Sequence, residues 1–259
     1  MNMTAGNSTL TRAVIWGFVL LCLLFLYAPL LPPMIRSMDG DGGAFSAYGA
    51  ILADAVLMEG IANTALVGGL VALIAPMLAL ALAQALRAWR RPRLILALVM
   101  LPLFVPGVSM GVATALFFRV LGLEASVASM VMVQVLWALP FATLVIVTVM
   151  ASFDQIYLEA AYMLGANRRQ AFIEVELPQV WPGLMGASIF SLILSFNETI
   201  RTSIVQGGEN TVQTYLWSQY QQVGLSPPLY ALMTLLIVFT LVLVGLLAVL
   251  DRRKSATGQ

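Results

Sequence analysis

EAAYMLGANRRQAFIEVELPQVWP, residues 159–182, interrupts a chain that is apolar over most of its length. Its residue chemistry predicts a helix, a glycine turn, a second helix and a proline stop. Asp154 is placed to cap a first short helix from near Gln155, because its carboxylate can accept a first-turn N–H. Residues 159–164 are strong helix formers, and Gly165 sits where a helix end often needs positive φ. Asn167 is placed to cap a second short helix through Arg168, Arg169, Gln170, Ala171 and Phe172. Pro178 should then break the chain, and Pro182 should open the next helix as a first-turn proline. Ala160, Ala161 and Ala166 keep one face low, so that a partner could come close. From the residues alone, two readings stand: a rigid docking face, or a compact connector between longer helices.

Outward from this loop, composition points to lipid. Of 259 residues, 61% are hydrophobic and only 10% are charged. Soluble domains carry about 25% charged residues. Water cannot solvate so much apolar surface, and a chain of this length leaves room for one membrane domain. Net charge is +1 and no basic run is long enough to track phosphates, which argues against nucleic acid. The single cysteine, Cys22, excludes a disulfide framework. Histidine is absent, which removes the commonest general base and metal ligand.

A bilayer core of about 30 Å needs about 20 apolar residues as a helix. Six segments approach this: 13–34, 60–86, 94–118, 126–150, 182–205 and 228–250. The first follows Arg12 and ends in Pro32-Pro33, not in a small-residue cleavage site, so it reads as a retained span. Basic residues set the orientation. With both termini inside, Arg12, Arg87, Arg90, Arg91, Arg93, Arg168, Arg169, Arg252, Arg253 and Lys254 fall on the cytoplasmic side. These are ten of the thirteen basic residues; only Arg36, Arg119 and Arg201 fall elsewhere. Asp39, Asp41, Asp54, Glu124 and Glu209 lie opposite. The expected fold is an all-α membrane protein of six transmembrane helices with cytoplasmic termini.

The outer segment 35–59, with Asp39-Gly40-Asp41-Gly42-Gly43, reads as a flexible loop with a short interfacial helix near residues 48–58. Segment 206–227 carries Tyr215, Trp217 and Tyr220, as an interfacial anchor or a surface facing a partner. Gly68, Gly69, Gly107, Gly111, Gly183 and Gly186 would let helix backbones approach. Pro76, Pro102, Pro106 and Pro140 should kink or break their spans.

The fifth segment is interrupted by Asn197, Glu198 and Arg201. A charge inside a span costs on the order of 2.5–3.5 kcal/mol and usually faces a cavity or a partner. Glu198 therefore has two readings: a local pair with Arg201, three residues on along one helix face, or a cation-attracting carboxylate lining a pathway. Asn197, Thr199 and Ser203 could add hydrogen bonds to a polar solute. Gln134 and Trp137 are further pathway candidates that packing could equally explain.

Glu159-Ala160-Ala161, Gly165-Ala166, Phe172, Leu177-Pro178 and Pro182 stand in the order and spacing of the "EAA" loop. The chain thereby resembles the MetI-like permease subunits of binding-protein-dependent, type I ATP-binding-cassette (ABC) importers. Residues 102–107 with Gly111 resemble the third span of these permeases, and Asn63-Thr64 the start of the second. Leu194-Ser195-Phe196-Asn197-Glu198 resembles a segment of the spermidine/putrescine branch, with Asn197 in place of an aspartate. The resemblance implies a bacterial inner-membrane permease without catalysis of its own. A cytoplasmic ABC ATPase dimer would hold ATP and magnesium, a second and different permease would complete the pathway, and an external solute-binding protein would deliver the cargo. Glu159, Ala160, Ala161, Gly165, Ala166, Arg168 and Arg169 would couple to the ATPase. Glu198, Asn197, Trp137 and Gln134 would line the pathway. The implied solute is polyamine-like; a quaternary amine, amino-acid derivative or phosphonate stays open. A membrane enzyme lacks support without histidine or paired intramembrane aspartates, and no internal repeat favours a secondary transporter.

Overall fold

A computed structural model describes residues 9–40, 43 and 45–257. Asp41 and Gly42 of the expected flexible loop lie outside the described residues. So do the side chains of Arg252, Arg253 and Lys254.

Helices account for the described chain. They are α1 (Thr9–Tyr27), α2 (Leu31–Arg36), α3 (Ser46–Ala53), α4 (Ala55–Ala88), α5 (Pro92–Met100), α6 (Gly107–Val120) and α7 (Val127–Ala151). After these come α8 (Ile156–Met163), α9 (Arg168–Gln170), α10 (Leu177–Phe196), α11 (Ile200–Val205), α12 (Val212–Gln222) and α13 (Pro227–Thr257). Short 3₁₀ turns, Ala28–Leu30 and Leu101–Phe104, follow α1 and α5, and a π-helical segment, Ala171–Glu176, joins α9 to α10.

Two compact units form. One takes the described residues up to Ala53 together with Val223–Phe239. Here α1 is apolar and almost wholly exposed, which in water would be untenable and in lipid is ordinary. Ser37 Oγ donates to the Met34 carbonyl at 2.7 Å and pairs with Tyr48 Oη at 2.9 Å, which ties α2 to α3.

The other unit takes Asp54–Gln222 and the described residues from Thr240. Its frame is a packed trio, α4, α7 and α10. Val67, Val71, Ala75, Met130, Val133 and Ala138 fill one end, and Ala79, Ala83, Ala142, Ile146, Val180 and Ala187 fill the other. Small side chains dominate because helices in lipid gain by close backbone approach more than by apolar burial. At Gly183 a Cβ would stand 2.7 Å from Val149 Cγ2, so only glycine permits the α7–α10 contact; Gly186 meets nothing within 4 Å.

Several boundaries differ from the sequence expectation. Among the described residues, four helices are long and apolar enough to cross a membrane: Thr11–Arg36, Ala55–Ala88, Val127–Ala151 and Arg168–Phe196. The expected third span, 94–118, is two pieces bent by 103°, Pro92–Phe104 and Gly107–Val120, and makes a fifth if counted as one. Pro106 at the junction denies an N–H to the break, which gives the chain its reason to turn there. The described apolar part of α13, Pro227–Val242, is a shorter helix. The expected fifth span, 182–205, is shifted: helix runs from Leu177 only to Phe196, unwinds over residues 197–199, and resumes as α11. Pro178 does not break the chain and Pro182 does not open the next helix; both lie inside one helical run of 29 residues, Arg168–Phe196. The wider π turn before Pro178 makes room for a proline ring that a continuous α-turn would exclude. Finally, the short helix expected near 48–58 ends at Ala53, because Asp54 caps α4 by accepting the Leu57 N–H at 3.1 Å.

Candidate functional site: the projecting loop and the buried polar knot

The loop between α7 and α10 is built by its caps. Asp154 Oδ1 accepts the Ile156 N–H at 3.0 Å and starts α8. Gly165, at φ +88°, reverses the chain after α8. Asn167 and Gln170 exchange backbone and side-chain hydrogen bonds at 2.9 and 3.0 Å, a reciprocal cap on α9. Such caps contribute about 1 kcal/mol each, enough to hold a short exposed turn in one shape.

The exposed tip of this loop is apolar. Met163 and Leu164 are each 89% exposed, and Ile156, Tyr157 and Tyr162 are exposed beside them. Glu159, Ala160, Arg168 and Arg169 are also on the surface. Ala161 is not: it is buried against its own chain, and Ala166 is half-buried. The low alanine face therefore seats α8 on the π segment, and Met163 and Leu164 form the outward surface. Sequence reasoning passed over both, although two large apolar residues directly before a turn glycine are the available signal.

The loop's root is polar. Glu176 is only 4% exposed. Its Oε1 accepts from Arg87 Nη2 at 2.7 Å and from Gln84 Nε2 at 2.8 Å, both on α4. The Arg87 guanidinium also lies 5.9 Å from the centre of the Phe153 ring. A cavity of about 480 Å³ opens beside this cluster, lined by Leu158, Tyr162 and Phe172 among others.

A second polar group lies where α10 unwinds. Arg201 spreads its guanidinium over Trp137 at 3.8 Å from the ring centre, a cation–π stack. Glu198 is 5% exposed. Its Oε1 accepts the Arg201 N–H at 2.9 Å and its Oε2 accepts from Arg201 Nη1 at 2.6 Å. Gln134, 2% exposed, donates to Thr202 Oγ1 at 2.8 Å and accepts from Ser195 Oγ. Glycines on α6 admit this group: a Cβ on Gly107 would meet Arg201 Cζ at 3.3 Å, and one on Gly111 would meet Ile204 at 2.8 Å.

Three of the four pathway candidates, Glu198, Trp137 and Gln134, thus converge on α11. Asn197 does not: it is exposed and its Nδ2 donates to the Ile193 carbonyl at 2.8 Å. Ser203 likewise donates to the Ile200 carbonyl at 2.9 Å. Spacing pointed to the Glu198–Arg201 pair, whereas the partnerships with Trp137, Gln134 and Ser195 come from packing.

Residues 206–222 fold over the start of α4. Asn63 Nδ2 donates to Glu209 Oε2 at 2.9 Å and to the Asn210 carbonyl at 3.1 Å. Thr64 Oγ1 accepts the Val212 N–H at 2.8 Å. The Tyr215 hydroxyl donates to Asp54. That bond, with the backbone bond from Leu57, holds the Asp54 carboxyl below its ordinary 3.8, while burial and the carboxylate push the Tyr215 hydroxyl up to about 12.

Comparison with known proteins places this architecture. Residues 75–256 match the family described as "Binding-protein-dependent transport system inner membrane component". The chain is 28% identical over 155 residues to the spermidine/putrescine transport system permease protein PotC of Escherichia coli. That alignment spans 59% of each protein, so it reaches about three-fifths of the relative's length. The putrescine transport system permease protein PotI of the same organism is 26% identical over 240 residues, 86% of this chain and 85% of PotI. Among solved structures, a bacterial alginate ABC transporter in complex with an alginate pentasaccharide-bound periplasmic protein superimposes with a TM-score of 0.66. It does so at 17% identity, over 94% of this chain and 93% of the other. The loop spacing, the helical frame and the family match agree: this chain belongs to the binding-protein-dependent transport system inner membrane components, the permease family of ABC importers.

Proposed function

We propose that the chain forms half of the translocation pathway of an ATP-driven importer, and that residues 156–164 receive the movement of a cytoplasmic ATPase dimer. The observation that carries this is the capped α8 with its exposed Met163 and Leu164, turned by Gly165. In water such an apolar tip is a liability; seated in a groove of a partner it becomes the contact itself. ATP binding would close the ATPase pair, the short rigid loop would follow, and α10 would rotate with it. The ligand that biases this two-state element is bound by the partner. ATP and magnesium belong to that partner, and this chain performs no chemistry. A second permease and an external solute-binding protein complete the assembly, with six spans and both termini cytoplasmic.

Leu164→Asp should abolish co-purification of the ATPase while leaving the permease in the membrane. Gly165→Asp, a side chain forced into positive φ, should leave insertion intact and separate ATP hydrolysis from uptake. An ATPase that stays bound to the Leu164→Asp protein would refute the docking role.

The names of the relatives favour a polyamine as solute. One observation favours another small organic solute in the same importer type. Glu198, the one carboxylate available to attract a cation within residues 177–205, has both oxygens held by Arg201. Asn197 beside it carries no charge. Calorimetric titration of the cognate external receptor with spermidine and putrescine separates the two: no binding heat would set the polyamine reading aside.

A further inference from the structure

The junction that joins the loop to α10 is mechanically soft. Residues 171–176 form a π turn, whose hydrogen bonds run to the fifth residue back, and such turns are among the places where helices kink. Pro178 and Pro182 follow within the same run, and each lacks an N–H for the ladder. A lever with such a joint would bend at the joint before it turned the helix beyond. The principal packing of the π segment is with α8, α9 and α10; Phe172, and Leu177 just beyond it, also pack on the apolar core shared with α4 and α7, through contacts that are not directional. The cavity lined by Leu158, Tyr162 and Phe172, and by Gln84, Arg87 and Glu176, leaves open space beside the joint.

One polar cluster adds a directional tie between this joint and α4. Glu176, the last π residue, is held by Arg87 at 2.7 Å and Gln84 at 2.8 Å, both from α4, and Arg87 reaches Phe153 beyond the end of α7. Here a carboxylate 4% exposed has found a cation and a neutral donor, which makes its position definite, since a buried charge is held where its partners are. We infer that Arg87, Gln84 and Glu176 brace the π joint against α4, so that motion arriving at Met163 and Leu164 turns α10 and is not absorbed by bending at 171–182. These are positioning residues. The inference rests on the proposed importer reading, because only a loop that is pushed needs a brace.

The test uses the full importer complex in lipid nanodiscs, with the cognate receptor as purified. Glu176→Gln and Arg87→Met should each lose thermal stability, as any broken buried pair does, yet still assemble with the ATPase and hydrolyse ATP at the basal rate. Stimulation of hydrolysis by the receptor should fall by about tenfold, the scale of a coupling free energy between sites. The charge-exchanged pair, Arg87→Glu with Glu176→Arg, should recover most of the stimulation, which a merely structural role would not require. Unchanged stimulation in both single variants overturns the inference. So does an exchanged pair that assembles without recovering stimulation. Loss of assembly by both singles and by the exchanged pair overturns it too, because the cluster would then be holding the fold and not relaying motion. The importer reading fails separately, if wild-type protein brings down no ATPase or Leu164→Asp leaves it bound.

Discussion

At the scale of single residues, the decisive feature is how each buried charge is answered. Glu198 could have been a free carboxylate in a pathway or half of a local pair, and the i, i+3 spacing with Arg201 allowed both. Both carboxylate oxygens meet Arg201, and the guanidinium lies on Trp137. Removing either partner leaves an uncompensated buried charge, so Glu198→Gln and Arg201→Met should each destabilise the protein by about 3 kcal/mol. The double variant should lie closer to wild type than either single, since it leaves no orphan charge. Thermal unfolding of the four proteins in detergent measures this cycle, and strict additivity would show that the pair is not one unit. Trp137 was legible as an odd aromatic in a span, but not as the platform for a residue 64 positions later (137 to 201). Linear spacing reports neighbours on one helix and is silent about neighbours on another.

At the scale of elements, caps and breakers decided the outcome, and most were legible. Asp154, Gly165 and Asn167 do what their residue types predict, because each acts on backbone within three residues. Pro178, expected to break the chain, and Pro182, expected to open the next helix, do not, because a π turn and the packing of α10 on α4 and α7 carry the helix through both. The segment carrying Tyr215 is helical and docked, α12 against the start of α4. Its pH response follows from Tyr215 and Asp54. The depressed Asp54 contributes stability above the ordinary 3.8, lost as pH falls through its lower folded value. The raised Tyr215 contributes stability in full below 10.0, lost as pH climbs towards about 12. The protection of α12 amides, expressed relative to the intrinsic base-catalysed exchange rate, should therefore be flat from mildly acidic pH to about 10 and fall steeply above it. In Tyr215→Phe that alkaline step should be missing; its persistence would place the titrating group elsewhere.

At the scale of the whole molecule, orientation is the proposal to test: if both termini are inside, ten of the thirteen basic residues fall on the same side as the 159–182 loop. A cysteine at Met163, with Cys22→Ser to clear the background, should react with a membrane-impermeant maleimide in inverted vesicles and not in intact spheroplasts. Labelling from outside would reverse the orientation and with it the ATPase docking. The sequence by itself determined that this protein lives in lipid, that its helices are apolar and closely approaching, and that a capped loop of permease type projects from them. Those properties are additive over residues or confined to one turn, so composition and short spacing carry them. Only the tertiary structure decided that span three bends by 103°, that α10 unwinds at Asn197, that Ala161 faces inward while Met163 and Leu164 face out, and that Glu176 is braced by α4. Each of these depends on which surfaces of distant helices meet. Burial of a charge, or relief of a proline clash by a neighbouring turn, has an energy only once that meeting has occurred.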